Sequence, residues 1–287
     1  MSGYKNFAVV GAGTIGLPVI EELLNTKSTG SIDKVVLLTR PESVSKYDPL
    51  AARGATITPV ADYNSISEVS KALAGVEVVI STISRAGFEL QIPIAKGAKE
   101  AGVKLFLPSE FGSPTDKATE GLYAAKAELN RKIREEVGLP TAVFFTGGFA
   151  DVTWGPFIDL DLKSGSVGVG GDGSAKASFT SRHDIGRYIA YVLSTYPPEL
   201  SKNKTFRIEG EHASLNDVFA QYEKKHGVKL QVRHTPIEEL KEKVKKNPQD
   251  IASFLHLVWA TGGGDVGTPL DNGLFPEWNP KPIVHYL

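Results

Sequence analysis

A glycine-rich stretch near the beginning of the chain limits the possible folds more than any other feature. The apolar run 7–10 precedes Gly11, Gly13 and Gly16, and an amphipathic run follows at 17–24. This order predicts a buried strand, a tight turn and a helix. In the G-x-G-x-x-G spacing, the first glycine permits the turn, the second lets backbone approach a pyrophosphate, and the third lets the helix pack against the strand. The free N–H groups at the helix N-terminus would then bind the phosphates, although an ordinary strand–turn–helix unit can carry the same glycines.

Residues in and beside this turn are further candidates for binding a dinucleotide. Thr14 and Ile15 lie within the turn itself. A predicted fourth strand, 76–81, runs out into Ser81, Thr82 and Ile83. Parallel sheets bind the pyrophosphate and ribose at the carboxyl ends of their strands, so we expect all five residues to contact the cofactor.

The residue at the end of the second predicted strand indicates which dinucleotide is bound. The run 34–39 predicts a buried strand, and Arg40 follows it directly. An NAD-binding chain usually carries Asp or Glu here to accept from the ribose 2′-OH, whereas an arginine faces a 2′-phosphate. We therefore expect NADP(H), with Lys46 as a second phosphate partner. A solvated surface arginine at a strand end is the alternative.

The order of predicted elements indicates the fold class. Strands and helices alternate six times before Gly147, which predicts an α/β fold with a Rossmann-type, doubly wound parallel sheet over 1–150. We expect a smaller C-terminal α+β substrate-binding region over 151–287, with about 181–210 returning to the first domain. Within this region we expect a small hairpin between 159 and 180, a helix capped by Asp184, and two amphipathic helices near 214–226 and 236–260.

Composition and charge exclude several other classes of protein. The net charge of the 287 residues is −1, which argues against a nucleic-acid partner. The absence of cysteine excludes disulfides and thiol catalysis, and the six histidines are scattered, so no metal site is expected. No apolar run approaches the length of a membrane span, and the first strand begins too near Met1 to leave room for a signal peptide. We therefore expect a cytoplasmic protein with a small-molecule substrate; the sequence does not indicate its oligomeric state.

A lysine near the predicted cofactor crevice is the candidate for chemistry. The run 107–112 lies at the end of the fifth predicted strand, and Tyr123 and Lys126 share one face of the next helix. An ammonium here can bond the nicotinamide ribose and donate a proton to a developing alkoxide or enolate. A surface lysine on an amphipathic helix is the alternative.

Several motifs together resemble those of one known family. They are Gly-Ala-Gly-Thr-Ile-Gly16, Thr-Arg-Pro41, Leu-Pro-Ser-Glu-Phe-Gly112 and Lys-Ala-Glu-Leu-Asn-Arg-Lys-Ile-Arg-Glu135. The chain is similar to the isoflavone reductase-like, or NmrA-like, group of atypical short-chain dehydrogenases. This resemblance implies NADPH-dependent reduction of a small aromatic or phenylpropanoid-like substrate, with Lys126 as the catalytic residue. A non-catalytic, NADP(H)-sensing regulatory protein is the alternative, and Lys126 favours the enzyme because a sensor needs no proton donor.

The chain departs from the family pattern at two places that affect these expectations. Tyr123 lies three residues before Lys126, whereas the ordinary dehydrogenase pair is four apart, so we do not expect Tyr123 to be the family-type acid. The stretch after 190 matches the plant enzymes poorly, so the resemblance does not carry over a substrate.

The predicted substrate site is built from aromatic side chains. We expect the nicotinamide to lie near Gly148 and Phe149, with the substrate above it. The candidate aromatic residues, each of which could equally belong to the core, are Phe88, Phe111, Trp154, Phe157 and Phe179.

Overall fold

The computed structural model describes residues 3–287. The strands are β1 Asn6–Val10, β2 Lys34–Thr39, β3 Ala55–Pro59, β4 Val78–Ser81, β5 Leu105–Leu107, β6 Ala142–Phe145, β7 Gly148–Phe149, β8 Ser166–Gly170, β9 Lys176–Thr180, β10 Lys204–Arg207, β11 Glu211–Ser214 and β12 Gln231–Thr235. The α-helices are α1 Gly16–Ser28, α2 Asp48–Ala52, α3 Ile66–Ala72, α4 Gln91–Glu100, α5 Gly121–Lys132, α6 Arg182–Thr195, α7 Leu215–His226, α8 Ile237–Lys246 and α9 Ile251–Ala260. A π-helical turn, Ile133–Val137, continues α5.

The central sheet is parallel and has the strand order β3-β2-β1-β4-β5. Single bridges from Phe106 to Thr141 and from Gly112 to Phe145 place β6 beside β5, and β10 pairs in parallel with β6. The chain builds outward from β1 in one direction and then from β4 in the other. This reversal opens a crevice at the carboxyl ends of β1 and β4, where doubly wound sheets bind ligands. The predicted α/β, doubly wound fold is confirmed.

Helices cover both faces of the central sheet because its strands are apolar on both sides. On β1, Val9 packs into one core with α1 and α6, whereas Ala8 and Val10 pack into a second core with α3 and α4. Successive side chains of a strand point to opposite faces, so a continuous apolar run supplies both cores. All three of these side chains are at most 1% exposed.

Helix α6 returns the chain to the central sheet and packs against α1. The two helices approach closely at Gly186, where an added Cβ would lie 3.1 Å from the carbonyl oxygen of Pro18. The N-cap of α6 is Ser181, whose hydroxyl accepts from the backbone N–H of Asp184. The predicted cap at Asp184 is wrong, because Asp184 already lies in the first turn of the helix and Ser181 is the residue with extended backbone before it.

The remaining strands form two smaller sheets, β11-β9-β7 and β12-β8. β9 pairs antiparallel with β11, and β8 pairs parallel with β12. The predicted hairpin between 159 and 180 is therefore wrong, because β8 and β9 find their partners in distant segments. The glycine-rich turn between them only redirects the chain.

The predicted helix 236–260 is two helices, because Pro248 interrupts it. Proline has no N–H to donate and fixes its own φ angle, so it ends the regular helical pattern of α8. Asp250 then caps α9, its side chain accepting from the backbone N–H of Ser253 at 3.0 Å. Within residues 3–287, none of these helices combines the length and apolar character that a membrane crossing requires.

Candidate active site

The glycine-rich turn joins β1 to α1 at the crevice. Gly11 has a φ of +90°, a conformation that side chains disfavour. A Cβ at Gly16 would lie 2.3 Å from the carbonyl oxygen of Gly11, whereas a Cβ at Gly13 would meet nothing within 4 Å. Gly16 therefore permits the turn to close, and Gly13 leaves open space above it. No side chain caps the N-terminus of α1, so its first N–H groups are suited to bind phosphate oxygens.

Thr82, the residue that follows β4, contacts the backbone of this turn. The hydroxyl of Thr82 donates to the carbonyl oxygens of Gly11 at 2.8 Å and Val10 at 3.0 Å. Ser81 is fully buried, and Ile83 packs partly into the core around α4. Of the predicted cofactor contacts, Thr82 thus binds the backbone of the turn through its side chain, and the Ser81 side chain is buried.

The two cations predicted to bind a 2′-phosphate, Arg40 and Lys46, are both exposed. Arg40 directly follows β2, and 73% of its side chain is exposed. Its Nε lies 3.3 Å from Oε1 of Glu42, which is also exposed. Lys46 is exposed on the same 3₁₀ turn. Arg40 therefore lies at the carboxyl end of β2 with Glu42 as its ion-pair partner, and the contact of either cation with a phosphate stays a prediction.

A cavity of about 440 Å³ lies next to the glycine-rich turn. Within the described part of the chain, every side chain that lines it is uncharged. The lining residues are Thr14, Phe111, Gly112, Ser113, Tyr123, Gly147, Gly148, Phe149, Val152, Thr153, Gly155, Phe157, Ile158, Leu255 and Trp259.

The cavity brings together residues predicted for the cofactor and residues predicted for the substrate. Thr14 comes from the glycine-rich turn, Gly148 and Phe149 form β7, and Phe111 and Phe157 supply aromatic wall. One space thus borders both the predicted phosphate-binding turn and an apolar surface.

The other three predicted substrate aromatics lie outside this lining. Phe179 is 1% exposed and packs between Trp154 and Trp259, with ring centroids 5.4 and 6.1 Å away. Trp154 donates its indole N–H to the carbonyl oxygen of Ala150 at 2.8 Å. Phe88 packs partly into the core around α4. Phe179 is thus a core residue that packs behind Trp259 of the cavity wall, whereas Phe88 and Trp154 are partly buried and pack against the cores.

Helix α9 supplies part of the lining that the sequence analysis did not identify. Leu255 and Trp259 face the cavity, and the Phe254 ring packs edge-on against Tyr123 with centroids 4.9 Å apart. Before α9, the Arg85 guanidinium donates to the carbonyl oxygen of Pro248 at 3.0 Å. The signal was the almost wholly apolar composition of this helix, since such a helix must be covered or must itself cover an apolar surface.

Lys126 lies beside the cavity wall, in contact with the segment that ends β5. Its Nζ donates to the carbonyl oxygen of Glu110 at 3.0 Å and lies 3.6 Å from the Glu110 carboxylate oxygen Oε2. The Lys126 side chain is 19% exposed, and that of Glu110 only 2%. Phe111, the residue after Glu110, lines the cavity, so the lysine is bound to the residue that adjoins this part of the wall.

Tyr123 lines the cavity one helical turn before Lys126. Burial raises the pKa of its phenol, an effect that the nearby Ser113 hydroxyl opposes and the Glu110 carboxylate reinforces. The phenol is therefore protonated at neutral pH and can donate a hydrogen bond to a bound molecule.

Comparison with known proteins identifies related chains. The model of the NmrA-like family matches residues 4–269. Phenylcoumaran benzylic ether reductase IRL1 from Ginkgo biloba is 30% identical over 267 residues, covering 86% of this chain and 85% of the relative. The leucoanthocyanidin reductase–NADPH complex from Vitis vinifera has a TM-score of 0.82 at 22% identity, with 97% of each chain covered. AtPrR2 with NADP⁺ and (+)pinoresinol has a TM-score of 0.81 at 20% identity, covering 99% of this chain and 98% of that one. At these identities the two solved structures establish a shared fold.

Proposed function

The chain belongs to the NmrA-like family, as its motifs predicted, and from this premise we propose that it is an NADPH-dependent reductase of small, neutral aromatic molecules. The observation that carries the proposal is the cavity in which the glycine-rich turn and an apolar wall border one space. The names of its relatives support the reaction class: the Ginkgo relative is a benzylic ether reductase, and the Vitis structure contains NADPH.

The residues present fit a bound NADPH. The open space above Gly13 and the uncapped start of α1 suit the pyrophosphate. Arg40 and Lys46 suit the 2′-phosphate, which an NAD-type acidic residue would repel. When bound, NADPH supplies a hydride, and Gly148 and Phe149 line the space in which its nicotinamide would lie. An isolated charge in an apolar site is costly, so the uncharged lining favours a substrate that carries no carboxylate or phosphate.

Two side chains of α5 supply the polar chemistry. Tyr123 is a neutral donor in the wall and can orient an oxygen of the substrate. Lys126 lies beside the adjacent wall, and its flexible four-carbon stem would let its ammonium reach the ribose and a developing oxyanion. We assign Lys126 the role of proton donor, with Tyr123 in a secondary, orienting role.

The competing function is an NADP(H)-sensing protein without turnover. A sensor needs the residues that bind the phosphates. It does not need an apolar cavity beside them with the Tyr123 hydroxyl and the Lys126 ammonium at its wall. The test is NADPH oxidation with neutral aromatic enones, aldehydes and benzylic ethers, each compared with its carboxylate-bearing analogue. Turnover of neutral compounds with weaker use of the acids is expected. If calorimetry shows NADPH binding but no compound oxidises NADPH, the result would contradict the proposed reductase function and favour the NADP(H)-sensing function.

A further inference from the structure

Glu110 is a carboxylate buried where the reaction proposed above gives it no part. Only 2% of its side chain is exposed. Oε1 accepts from the Thr115 hydroxyl at 3.1 Å, and Oε2 has no hydrogen-bond partner among the described residues. A buried carboxylate oxygen without a partner is costly, so it is expected where a neighbouring charge compensates for it.

That neighbouring charge belongs to Lys126. Its Nζ is 3.6 Å from Oε2 and is anchored by a 3.0 Å hydrogen bond to the backbone oxygen of the same glutamate. Two groups of one residue, a carbonyl and a carboxylate, therefore hold one ammonium. Among the charged and titratable groups that face the carboxyl, Lys126 favours its ionised form, whereas Asp116 and Tyr123 are close enough to interact with it unfavourably.

The backbone at this point is held in a conformation that favours the arrangement. Phe111 has a φ of +34°, which is uncommon for a residue with a side chain. Such strain persists where the surrounding structure enforces it, and it concentrates at functional sites. Here it separates the Phe111 ring, which faces the cavity, from the Glu110 carbonyl, which faces Lys126.

We propose that Glu110 is a positioning residue that holds the Lys126 ammonium beside the cavity wall, next to the space where the reaction would take place. The proposal rests on the proposed function, because it gives Lys126 a proton to donate. Burial raises the pKa of Glu110 and the Lys126 charge opposes this rise, which agrees with a coupled pair. The Glu110 carboxylate touches neither cofactor nor substrate in this account and acts through the lysine.

The first test measures Lys126 directly and does not need a substrate. Trace acetylation with acetic anhydride at fixed pH, read by mass spectrometry, reports how much of each lysine is free amine. In Glu110→Gln the carboxylate charge is lost while the shape is kept, so we expect Lys126 to react about three- to tenfold faster. Lys96, an exposed lysine of α4, serves as the internal reference. Unchanged labelling of Lys126 would overturn the proposal.

The matched control is Glu128→Gln on the exposed face of α5. It removes the same charge at a side chain that is 47% exposed and should leave Lys126 labelling unchanged. Thr115→Val provides a second, milder variant, because it removes only the hydrogen bond to Oε1 and should raise Lys126 labelling by a smaller factor. Glu110→Gln keeps the shape of the side chain but removes one partner of a largely buried ion pair, which lowers stability, so its fold is checked by circular dichroism before labelling. Were it to unfold, Thr115→Val labelling alone would decide between the two outcomes.

The second test separates a positioning role from a structural one. In Glu110→Gln the basic limb of the kcat/KM profile should move to lower pH, and Glu110→Asp should restore part of it. Changed labelling with an unmoved pH profile would overturn the role in the reaction. A wild-type protein that shows no turnover would refute the proposed function, whereas the labelling result would still stand on its own.

Discussion

Arg182, the first residue of α6, joins the glycine-rich turn to the cavity wall. Its Nη1 donates to the carbonyl oxygen of Thr14 at 3.0 Å, and its Nε donates to Oδ2 of Asp151 at 2.8 Å. The backbone N–H of Arg182 also donates to Oδ1 of the same carboxylate, at 3.1 Å. Asp151 immediately precedes Val152 and Thr153, which line the cavity. One guanidinium thus fixes the predicted cofactor side and the predicted substrate side relative to each other.

We expect Arg182→Lys to weaken both NADPH binding and substrate binding. An ammonium cannot reproduce the fork that reaches Thr14 and Asp151 at once. Loss of one such hydrogen bond costs about 1 kcal/mol, which corresponds to roughly a fivefold rise in the NADPH Kd and in the substrate KM. Arg187→Lys is the control, because that arginine pairs with Asp184 on the same helix. A change in only one of the two constants would show that Arg182 does not couple the two sides.

Replacing Gly13 and Gly16 of the turn by alanine should affect different properties, NADPH affinity for Gly13 and stability for Gly16. Gly13→Ala should keep its melting temperature, because nothing lies within 4 Å of the new methyl group, but it should bind NADPH more weakly. Gly16→Ala should lose about 1–3 kcal/mol of stability, since its Cβ would lie 2.3 Å from the Gly11 oxygen. Thermal melts and calorimetric titrations with NADPH distinguish the two effects. Wild-type affinity of Gly13→Ala for NADPH would show that the pyrophosphate does not bind at this turn.

The preference for NADPH over NADH should depend on Arg40 and be limited by Glu42. A hydrogen bond to a charged group contributes about 1.5–3 kcal/mol, so Arg40→Gln should weaken NADPH binding at least tenfold and leave NADH nearly unchanged. Glu42→Gln removes a carboxylate 3.3 Å from the guanidinium and should tighten NADPH modestly, because exposed ion pairs are weak. Dissociation constants for both dinucleotides provide the test. Equal affinities of the wild type for NADPH and NADH would contradict this assignment.

Sequence patterns predicted the parts of the site that lie close together in the chain, but not those that the fold brings together from distant segments. The glycine turn and Arg40 lie next to their own strands, so local patterns indicated both. The break between α8 and α9 at Pro248 is also a local signal, because proline ends a regular helix. Phe179 faced the core because tryptophans from distant segments pack on both sides of it.

The cavity wall and the environment of Lys126 required the folded chain. Ser113, Val152 and Leu255 come from three separate segments, and no periodicity links them. Lys126 was predicted from a motif, but its contact with Glu110 depends on the backbone conformation of the intervening loop. The partners of β8 and β9 likewise lie outside the segment that joins them: β12 and β11 come from beyond residue 210 and β7 precedes β8, which no local turn signal could reveal.

The stability of the protein should fall on mild acidification because of His256. This side chain is 7% exposed; its Nε2–H donates to the carbonyl oxygen of Ile158 at 2.8 Å, and Nδ1 is buried without a partner among the described residues. Burial lowers the pKa of His256 below its ordinary value of 6.5. Below that pH the unfolded chain binds a proton that the folded chain does not, so stability is lost as pH falls, by about 1.4 kcal/mol per pH unit. This loss continues down to the lowered pKa of the folded state.

His256→Gln keeps a donor for Ile158 and cannot titrate, so its unfolding free energy should fall less than that of the wild type between neutral and mildly acidic pH. His285→Gln, at an exposed position, should follow the wild type. Parallel pH profiles of the wild type and His256→Gln would show that His256 is not the responsible group.

Lys126→Ala tests whether Lys126 donates a proton in the proposed reduction. General acid catalysis contributes about 10²–10⁴-fold, so kcat should fall by at least that factor once a turned-over substrate is known. NADPH binding by calorimetry should survive, because the glycine turn and Arg40 do not depend on this side chain. A kcat reduced at least a hundredfold with NADPH affinity within a few-fold of wild type is the predicted result. Full activity in Lys126→Ala would contradict the account and place the proton donor elsewhere.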